Sequence, residues 1–152
     1  MFSVYSINDI QVSLIEELLA GAVYHSHDNV TSCLLFEEPS TRTKESFRIA
    51  FNNLGIQCID ILPDSSSISK GETLKQTLET VAHYKQRTIC VWRSPVKMPQ
   101  IQIPNVAIIN AGDGINEHPT QALGDLLTIQ KALNVKFSPN FLRGMNLSLI
   151  HI

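Results

Sequence analysis

The stretch SCLLFEEPSTRTKESFRIAFNNLG, residues 32–55, decides the fold because a strand, a polar turn and a helix follow one another within it. Residues 32–36 form a short apolar run, which is typical of a buried strand. Apolar side chains then recur at helical spacing between Phe47 and Leu54, and Gly55 follows where such a helix would end. The stretch therefore predicts one strand–turn–helix unit of an α/β fold.

The same alternation continues along the rest of the chain. Strands that alternate with helices and are joined by short polar loops predict an α/β, three-layer domain with a central parallel sheet flanked by helices. In such sheets ligands bind beyond the carboxyl ends of the strands. The further predicted strands are 57–62, 88–92, 106–110 and 146–152, and the further predicted helices cover residues 8–22, 74–82 and 122–133.

The last predicted strand divides the chain. We expect residues 1–145 to form one domain and residues 146–152 to be the first strand of a second domain. A doubly wound domain rarely stops directly after a strand, so we expect further structure downstream. A chain of 152 residues is otherwise one domain's worth, and it can bury a core without a disulfide or a metal.

Composition excludes several classes of protein. Hydrophobic residues make up 43% and charged residues 17%, which excludes a disordered tail and a fibrous protein. The net charge of −2 contains no basic excess, so we expect neither a nucleic-acid nor a membrane partner. No apolar run approaches the ~18 residues of a membrane span, and no Lys or Arg precedes Arg42, whereas a targeting segment has a basic start.

The cysteines and two histidines are interpreted as structural. Cys33, Cys58 and Cys90 are widely spaced, and each lies in an apolar run, so we expect buried thiols and neither a disulfide nor a metal site. Free thiols favour a reducing compartment, which predicts a cytoplasmic protein. His25 and His27 lack a clear third ligand and are interpreted as part of a polar loop.

Polar residues gather after two strands in the middle of the chain. The turn Pro39-Ser40-Thr41-Arg42-Thr43 offers hydroxyls, a guanidinium and the free N–H groups of a helix start, which together can hold a phosphate. The alternative is an ordinary helix cap beside a solvated arginine. Arg93 lies at the end of the predicted strand 88–92, and its alternative is an exposed loop arginine.

A third polar cluster, NAGDGINEHPTQ, occupies residues 110–121. Its two glycines permit a tight turn, and Pro119 suits a first helical turn. His118 and Gln121 are three residues apart, so both can face one side of the helix start. The helix dipole disfavours a charged His118, and a neutral imidazole can donate to a carbonyl oxygen that becomes negative. A capping or packing role is the alternative.

These motifs resemble those of the aspartate and ornithine carbamoyltransferases. FEEPSTRTKESF, residues 36–47, resembles the family's phosphate-binding signature, and residues 110–121 are similar to the carbonyl-side motif of its aspartate branch. KGET, residues 70–73, taken alone indicates only a polar loop, but it resembles the segment that aspartate carbamoyltransferases lend to a neighbouring subunit. The order and spacing of the motifs agree along almost the whole chain.

The resemblance implies a role for each matching position. Arg93 would bridge the phosphate and the carbonyl oxygen of carbamoyl phosphate, and Gln121 would fix the carbamoyl nitrogen. Ser66 and Lys70 would reach into the site of the next subunit of a homotrimer. The phosphate would be held by Ser40, Thr41, Arg42 and Thr43, and the carbonyl would be polarised by Thr43, Arg93 and His118.

The implied reaction is attack of the L-aspartate amine on the carbamoyl carbon, which releases phosphate and gives N-carbamoyl-L-aspartate in pyrimidine biosynthesis. It needs no metal or cofactor, because it depends on orientation and on stabilising a developing oxyanion and a leaving dianion. In this family a second domain binds the amino acid, so this chain would supply the carbamoyl-phosphate half of the site. The resemblance leaves open whether a regulatory chain joins the trimer.

Two alternatives stay open at this point. The first is a non-catalytic module, left from a truncated enzyme, that binds carbamoyl phosphate or forms oligomers. The second is an enzyme that uses ornithine as the acceptor. The run Gly112-Asp113-Gly114 before His118 argues against this second alternative.

Overall fold

The computed structural model describes residues 2–21, 29–63, 71–138 and 140–144, which form a parallel sheet with helices packed against it. The sheet has four strands in the order β2-β1-β3-β4. Each neighbouring pair is parallel, as the alternation of strands and helices predicted. The strands are β1 (Val30–Phe36), β2 (Gln57–Ile61), β3 (Arg87–Ser94) and β4 (Val106–Asp113), and the helices are α1 (Val12–Leu19), α2 (Thr41–Asn53), α3 (Leu74–Val81) and α4 (Pro119–Leu133).

Helices cover both faces of the sheet, which confirms the three-layer architecture. Successive side chains of a strand point to opposite faces. In β1, Cys33 and Leu35 pack in one apolar cluster with Leu78 of α3. Leu34, between them in sequence, packs in the other cluster with Phe51 of α2. Because β1 is buried on both sides, its residues read as a continuous apolar run.

The prediction of one continuous helix over residues 8–22 is wrong. A short 3-10 turn, Ile7–Asp9, is followed by extended backbone before α1 begins. The carboxylate of Asp9 accepts hydrogen bonds from the backbone N–H groups of Tyr5 at 2.7 Å and Ser6 at 2.9 Å. These bonds close the turn as a separate capped unit, which the spacing of apolar residues does not register.

The strands that lead to the functional edge are longer than predicted. β3 continues to Ser94 and β4 to Asp113, whereas the apolar runs end at residues 92 and 110. The added residues are polar or small, so hydrophobicity alone places the strand ends too early. Arg93 therefore lies within a strand, opposite Phe36 of β1 in the register.

The three cysteines are free thiols. Cys33 and Cys90 are fully buried, as predicted, and lie opposite each other in the β1–β3 register. The prediction of a buried thiol is wrong for Cys58, which is only half-buried because it lies on the edge strand β2. A hydrogen bond with Cys33, together with burial, raises the pKa of Cys90 well above its usual value. These two thiols therefore pack as small hydrophobic residues.

Several predictions concern residues outside the described ranges. They are the strand over 146–152 with its domain boundary at 145, the neighbouring-subunit residues Ser66 and Lys70, and the polar loop with His25 and His27. Within the described part of the chain, no helix has the length and apolar character needed to cross a membrane.

Candidate active site

An open cleft of about 960 Å³ lies at the carboxyl ends of the strands, where a parallel sheet is expected to bind its ligand. We refer to it as the strand-end cleft. Two arginines and no carboxylate are found among the described residues that line it, so its lining favours an anion. The lining includes each predicted site residue in the described ranges, namely Ser40, Thr41, Arg42, Thr43, Arg93, His118 and Gln121.

The first turn of α2 forms one wall of the cleft. Ser40 occupies the N-cap position, but its side chain makes no capping hydrogen bond, contrary to the capping role weighed from the sequence. The first N–H groups of a helix have no acceptor within the helix, so here they stay free for a ligand. They also carry the positive end of the helix dipole. The exposed Arg42 adds a full positive charge to this wall.

Arg93 also lines the cleft and is held on two sides. Its Nη1 donates to the carbonyl oxygen of Ala111 at 2.9 Å, and its Nη2 lies 2.7 Å from Oε1 of Glu38. A guanidinium has five N–H donors, so these contacts leave donors for a ligand. Glu38 was assigned no role from the sequence, because its proximity to Arg93 depends on the β1–β3 register.

Gly112 lies near the end of β4, at a register shift against β3, and lets the guanidinium of Arg93 approach the strand closely. A Cβ atom at this position would lie 2.5 Å from Nη1 of Arg93 and 3.3 Å from Cδ2 of His118. The φ angle of Gly112 is 113°, which L-residues rarely adopt. Arg93 and His118 thus both approach the space that a side chain at position 112 would fill. The tight turn predicted from the glycines is confirmed directly after β4, where Gly114 has a φ angle of 66°.

His118 occupies the N-cap position of α4, directly before Pro119 at the predicted first helical position. Burial and, to a smaller extent, the positive charge of Arg93 lower the pKa of His118, while the carboxylates of Asp125 and Asp113 oppose the shift. Its ring is thus kept neutral mainly by burial, whereas the sequence argument relied on the helix dipole. The neutral form is the one that can donate a hydrogen bond without carrying a charge.

Thr120 also lines the cleft, although the sequence analysis assigned it no role. Its Oγ1 lies 3.3 Å from Nδ1 of His118. If the hydroxyl donates to Nδ1, the neutral ring carries its proton on Nε2. Gln121 also lines the cleft, and its amide donates to Oδ1 of Asp125 at 2.8 Å. The position of Thr120 within the polar cluster of residues 110–121 was the available sequence signal for its role.

Residues 3–131 match the family described as aspartate/ornithine carbamoyltransferase, carbamoyl-P binding domain. The chain belongs to this family. A carbamoyltransferase of this family, the aspartate carbamoyltransferase catalytic subunit of Finegoldia magna, is 42% identical over 134 residues, which are 84% of this chain and 43% of the relative. The corresponding subunit of Thermococcus kodakarensis is 40% identical over 116 residues, 74% of this chain and 36% of the relative.

Solved carbamoyltransferase structures have the same fold. Aspartate transcarbamoylase from Trypanosoma cruzi, in complex with carbamoyl phosphate, superposes with a TM-score of 0.71 at 33% identity, over 87% of this chain and 45% of that one. The catalytic subunit of the M. jannaschii enzyme gives a TM-score of 0.69 at 32% identity, over 89% of this chain and 48% of that one. The chain thus spans less than half the length of these relatives.

Proposed function

We propose that the strand-end cleft binds carbamoyl phosphate, and that the chain supplies this half of a site that transfers the carbamoyl group to L-aspartate. The observation that carries the proposal is the convergence of the α2 N-terminus, Arg93 and His118 on one cleft that lacks a carboxylate among its described lining residues. The carbamoyl-phosphate complex of the similar Trypanosoma cruzi enzyme supports the choice of ligand.

The phosphate is proposed to bind at the first turn of α2. Free backbone N–H groups, the hydroxyls of Ser40, Thr41 and Thr43, and the guanidinium of Arg42 supply donors to a dianion there. Each such donor also stabilises the phosphate as it leaves, because the negative charge on its oxygens increases when the bond to carbon breaks. Binding and leaving-group stabilisation therefore use the same groups.

The carbamoyl group is proposed to lie between Arg93 and His118. Attack by the amine of aspartate converts the carbonyl oxygen to an oxyanion, which Nε2–H of a neutral His118, Arg93 and the hydroxyl of Thr43 can stabilise. The bond between Thr120 and Nδ1 would keep the imidazole in the donating tautomer. Gln121 would bind the carbamoyl nitrogen and so fix the orientation of the electrophile.

The assembly is proposed to be a cytoplasmic homotrimer in which Ser66 and Lys70 of each subunit complete a neighbouring site. The resemblance of residues 70–73 to the family's shared segment supports this arrangement, and the free thiols favour a reducing compartment. Sedimentation would test it: a monomer in the presence of phosphonoacetamide, a stable analogue of carbamoyl phosphate, would contradict the shared site.

Calorimetric titration with phosphonoacetamide tests the binding proposal. Arg42→Ala removes a charge-assisted contact, so we expect the affinity to fall roughly 10–100-fold. The matched control is Arg87→Ala, which removes another exposed arginine from the amino end of β3, away from the cleft. Equal affinities of Arg42→Ala and the unmodified chain would contradict the proposed phosphate site.

An assay of carbamoyl transfer with aspartate and ornithine offered separately tests the reaction. Product with aspartate alone is the expected result for a complete site. Product with ornithine alone would overturn the choice of acceptor. Analogue binding without product from either acceptor would mean that this chain alone does not complete the site for the acceptor.

A further inference from the structure

Asp113 is a buried carboxylate that the proposed reaction does not use. It ends β4, and only 4% of its surface is exposed. Its Oδ1 accepts a hydrogen bond from the backbone N–H of Glu117 at 2.7 Å, and its Oδ2 accepts one from the backbone N–H of Met98 at 3.1 Å. Both oxygens are therefore satisfied by backbone groups of two different segments.

The two segments joined by Asp113 are those that position the walls of the strand-end cleft. Met98 belongs to the segment that follows Arg93 along the chain, and Glu117 directly precedes His118. A second contact supports the junction, because the N–H of Gly114 donates to the carbonyl oxygen of Ser94 at 3.0 Å. The carboxylate is thus the side-chain part of a junction between the Arg93 segment and the His118 loop.

We propose that Asp113 is a positioning residue that clamps the His118 loop to the segment after Arg93 and so holds the imidazole beside the guanidinium. The functional meaning of this clamp rests on the proposed function. Because one carboxylate accepts from both segments, loss of either oxygen as an acceptor would loosen one segment against the other, although the backbone bond between Gly114 and Ser94 would remain. Asp113 itself does not line the cleft, so it would act through His118.

The position of His118 can be measured through its titration, because the two effects of Asp113 have opposite signs. Burial and Arg93 lower the pKa of His118, and Asp125 and Asp113 raise it. Removing the charge of Asp113 with the loop held in place would lower the pKa further. Releasing the loop would instead expose the ring and separate it from Arg93, which would raise the pKa toward its ordinary value.

Asp113→Asn is the first variant. Its amide places an N–H donor against a backbone N–H donor, so the clamp loses one contact and gains a repulsion. We expect NMR titration to show a higher pKa for His118 than in the unmodified chain, and calorimetry to show phosphonoacetamide affinity about tenfold lower. Comparison with spectra of His118→Gln would identify the signal of His118 among the histidines.

Asp113→Glu is the second variant, since it keeps the charge but cannot place both oxygens in the same geometry. We expect it to raise the pKa of His118 as well. The matched control is Asp9→Asn, because Asp9 also accepts from two backbone N–H groups, of Tyr5 and Ser6, but lies outside the cleft lining. The control should leave both the pKa of His118 and the affinity unchanged.

An unchanged or lower pKa of His118 in folded Asp113→Asn would overturn the clamp. If the variants do not fold, amide hydrogen exchange of the unmodified chain tests it instead: the N–H groups of Met98 and Glu117 should both be protected, and fast exchange of either would contradict the clamp. Absence of phosphonoacetamide binding by the unmodified chain would refute the proposed function alone, because the titration and the exchange do not depend on the ligand.

Discussion

At Gly112 the absence of a side chain lets two side chains of the candidate site approach each other. The guanidinium of Arg93 and the ring of His118 both approach the space that a Cβ atom would fill. Glycine is required there twice over, because the backbone φ of 113° is also unfavourable for any other residue. Gly112 is not among the residues that line the strand-end cleft, yet it has a direct influence on the geometry of that cleft.

Gly112→Ala is expected to displace Arg93, since the new Cβ would lie 2.5 Å from Nη1. Loss of that guanidinium's alignment should weaken phosphonoacetamide binding about tenfold or more, and backbone strain should cost roughly 1–2 kcal/mol of unfolding free energy. Calorimetry and urea unfolding measure the two effects separately. Wild-type affinity in Gly112→Ala would show that Arg93 does not need this close approach.

Gly124→Ala is the matched control for this substitution. Gly124 lies in α4, and a Cβ atom added there would meet no heavy atom within 4 Å. The change should therefore stabilise the helix by about 0.5–1 kcal/mol and leave the affinity unchanged.

The sequence predicted those site residues that lie within short motifs, and it did not predict contacts between distant segments. Arg42, Arg93, His118 and Gln121 were found because they lie in strand-end motifs, and the structure brings them to one cleft. The ion pair of Glu38 with Arg93 and the contacts of Asp113 were not found from the sequence, because they join segments that are distant in sequence.

At the scale of elements, α2 is fixed to the edge strand β2 by charge as well as by packing. Asp60 of β2 lies 3.0 Å from Nζ of Lys44 and 2.8 Å from Nη2 of Arg48, both on α2. Burial acts to raise the pKa of Asp60, but hydrogen bonds from Lys44 and Arg48 outweigh it, so the net pKa is lowered. The N-terminus of this helix forms a wall of the cleft, and these contacts help to hold it.

Asp60→Asn should therefore reduce stability at neutral pH but not in acid. Because folding lowers the pKa of the Asp60 carboxyl group, its negative charge stabilises the folded state at pH values above the pKa of this group in the unfolded chain. This stabilisation is lost as the pH falls through the pKa of the same group in the folded chain. Because the pair is partly exposed, we expect only about 0.5–1 kcal/mol at pH 7. Urea unfolding at neutral and acidic pH measures the difference, which should shrink toward zero in acid.

The control for this prediction is Glu79→Gln, which breaks the pair of Lys75 and Glu79 at 3.8 Å within α3. That exposed pair lies within one helix, so its loss should change stability by only about 0.2–0.5 kcal/mol. A loss in Asp60→Asn that persists undiminished in acid would indicate an effect of packing and not of charge.

Elements were predicted well in position and less well in extent. Periodicity located each strand of the sheet and each of the helices α2, α3 and α4, because their buried faces impose a regular spacing. It missed the break after Asp9, since a side-chain capping bond ended the turn there. The ends of β3 and β4 were missed because the residues that end these strands are polar or small.

At the scale of the whole molecule, the cleft is built from elements that are far apart in sequence, so a ligand within it connects them. α2, the end of β3 and the start of α4 each supply a wall residue, namely Arg42, Arg93 and His118. A ligand that binds only this arrangement stabilises the entire fold, because unfolding must first release it.

Thermal unfolding should therefore shift with phosphonoacetamide concentration. At 100 times the Kd the linkage gives about 2.7 kcal/mol, which for a domain of this size corresponds to a rise in Tm of roughly 5–10 °C. In Arg42→Ala the rise at the same concentrations should be several degrees smaller, whereas Arg87→Ala should retain it in full, because its arginine lies at the other end of the sheet. Equal shifts in both variants would mean that the stabilising anion binds elsewhere, because its binding would then not require Arg42 at the first turn of α2.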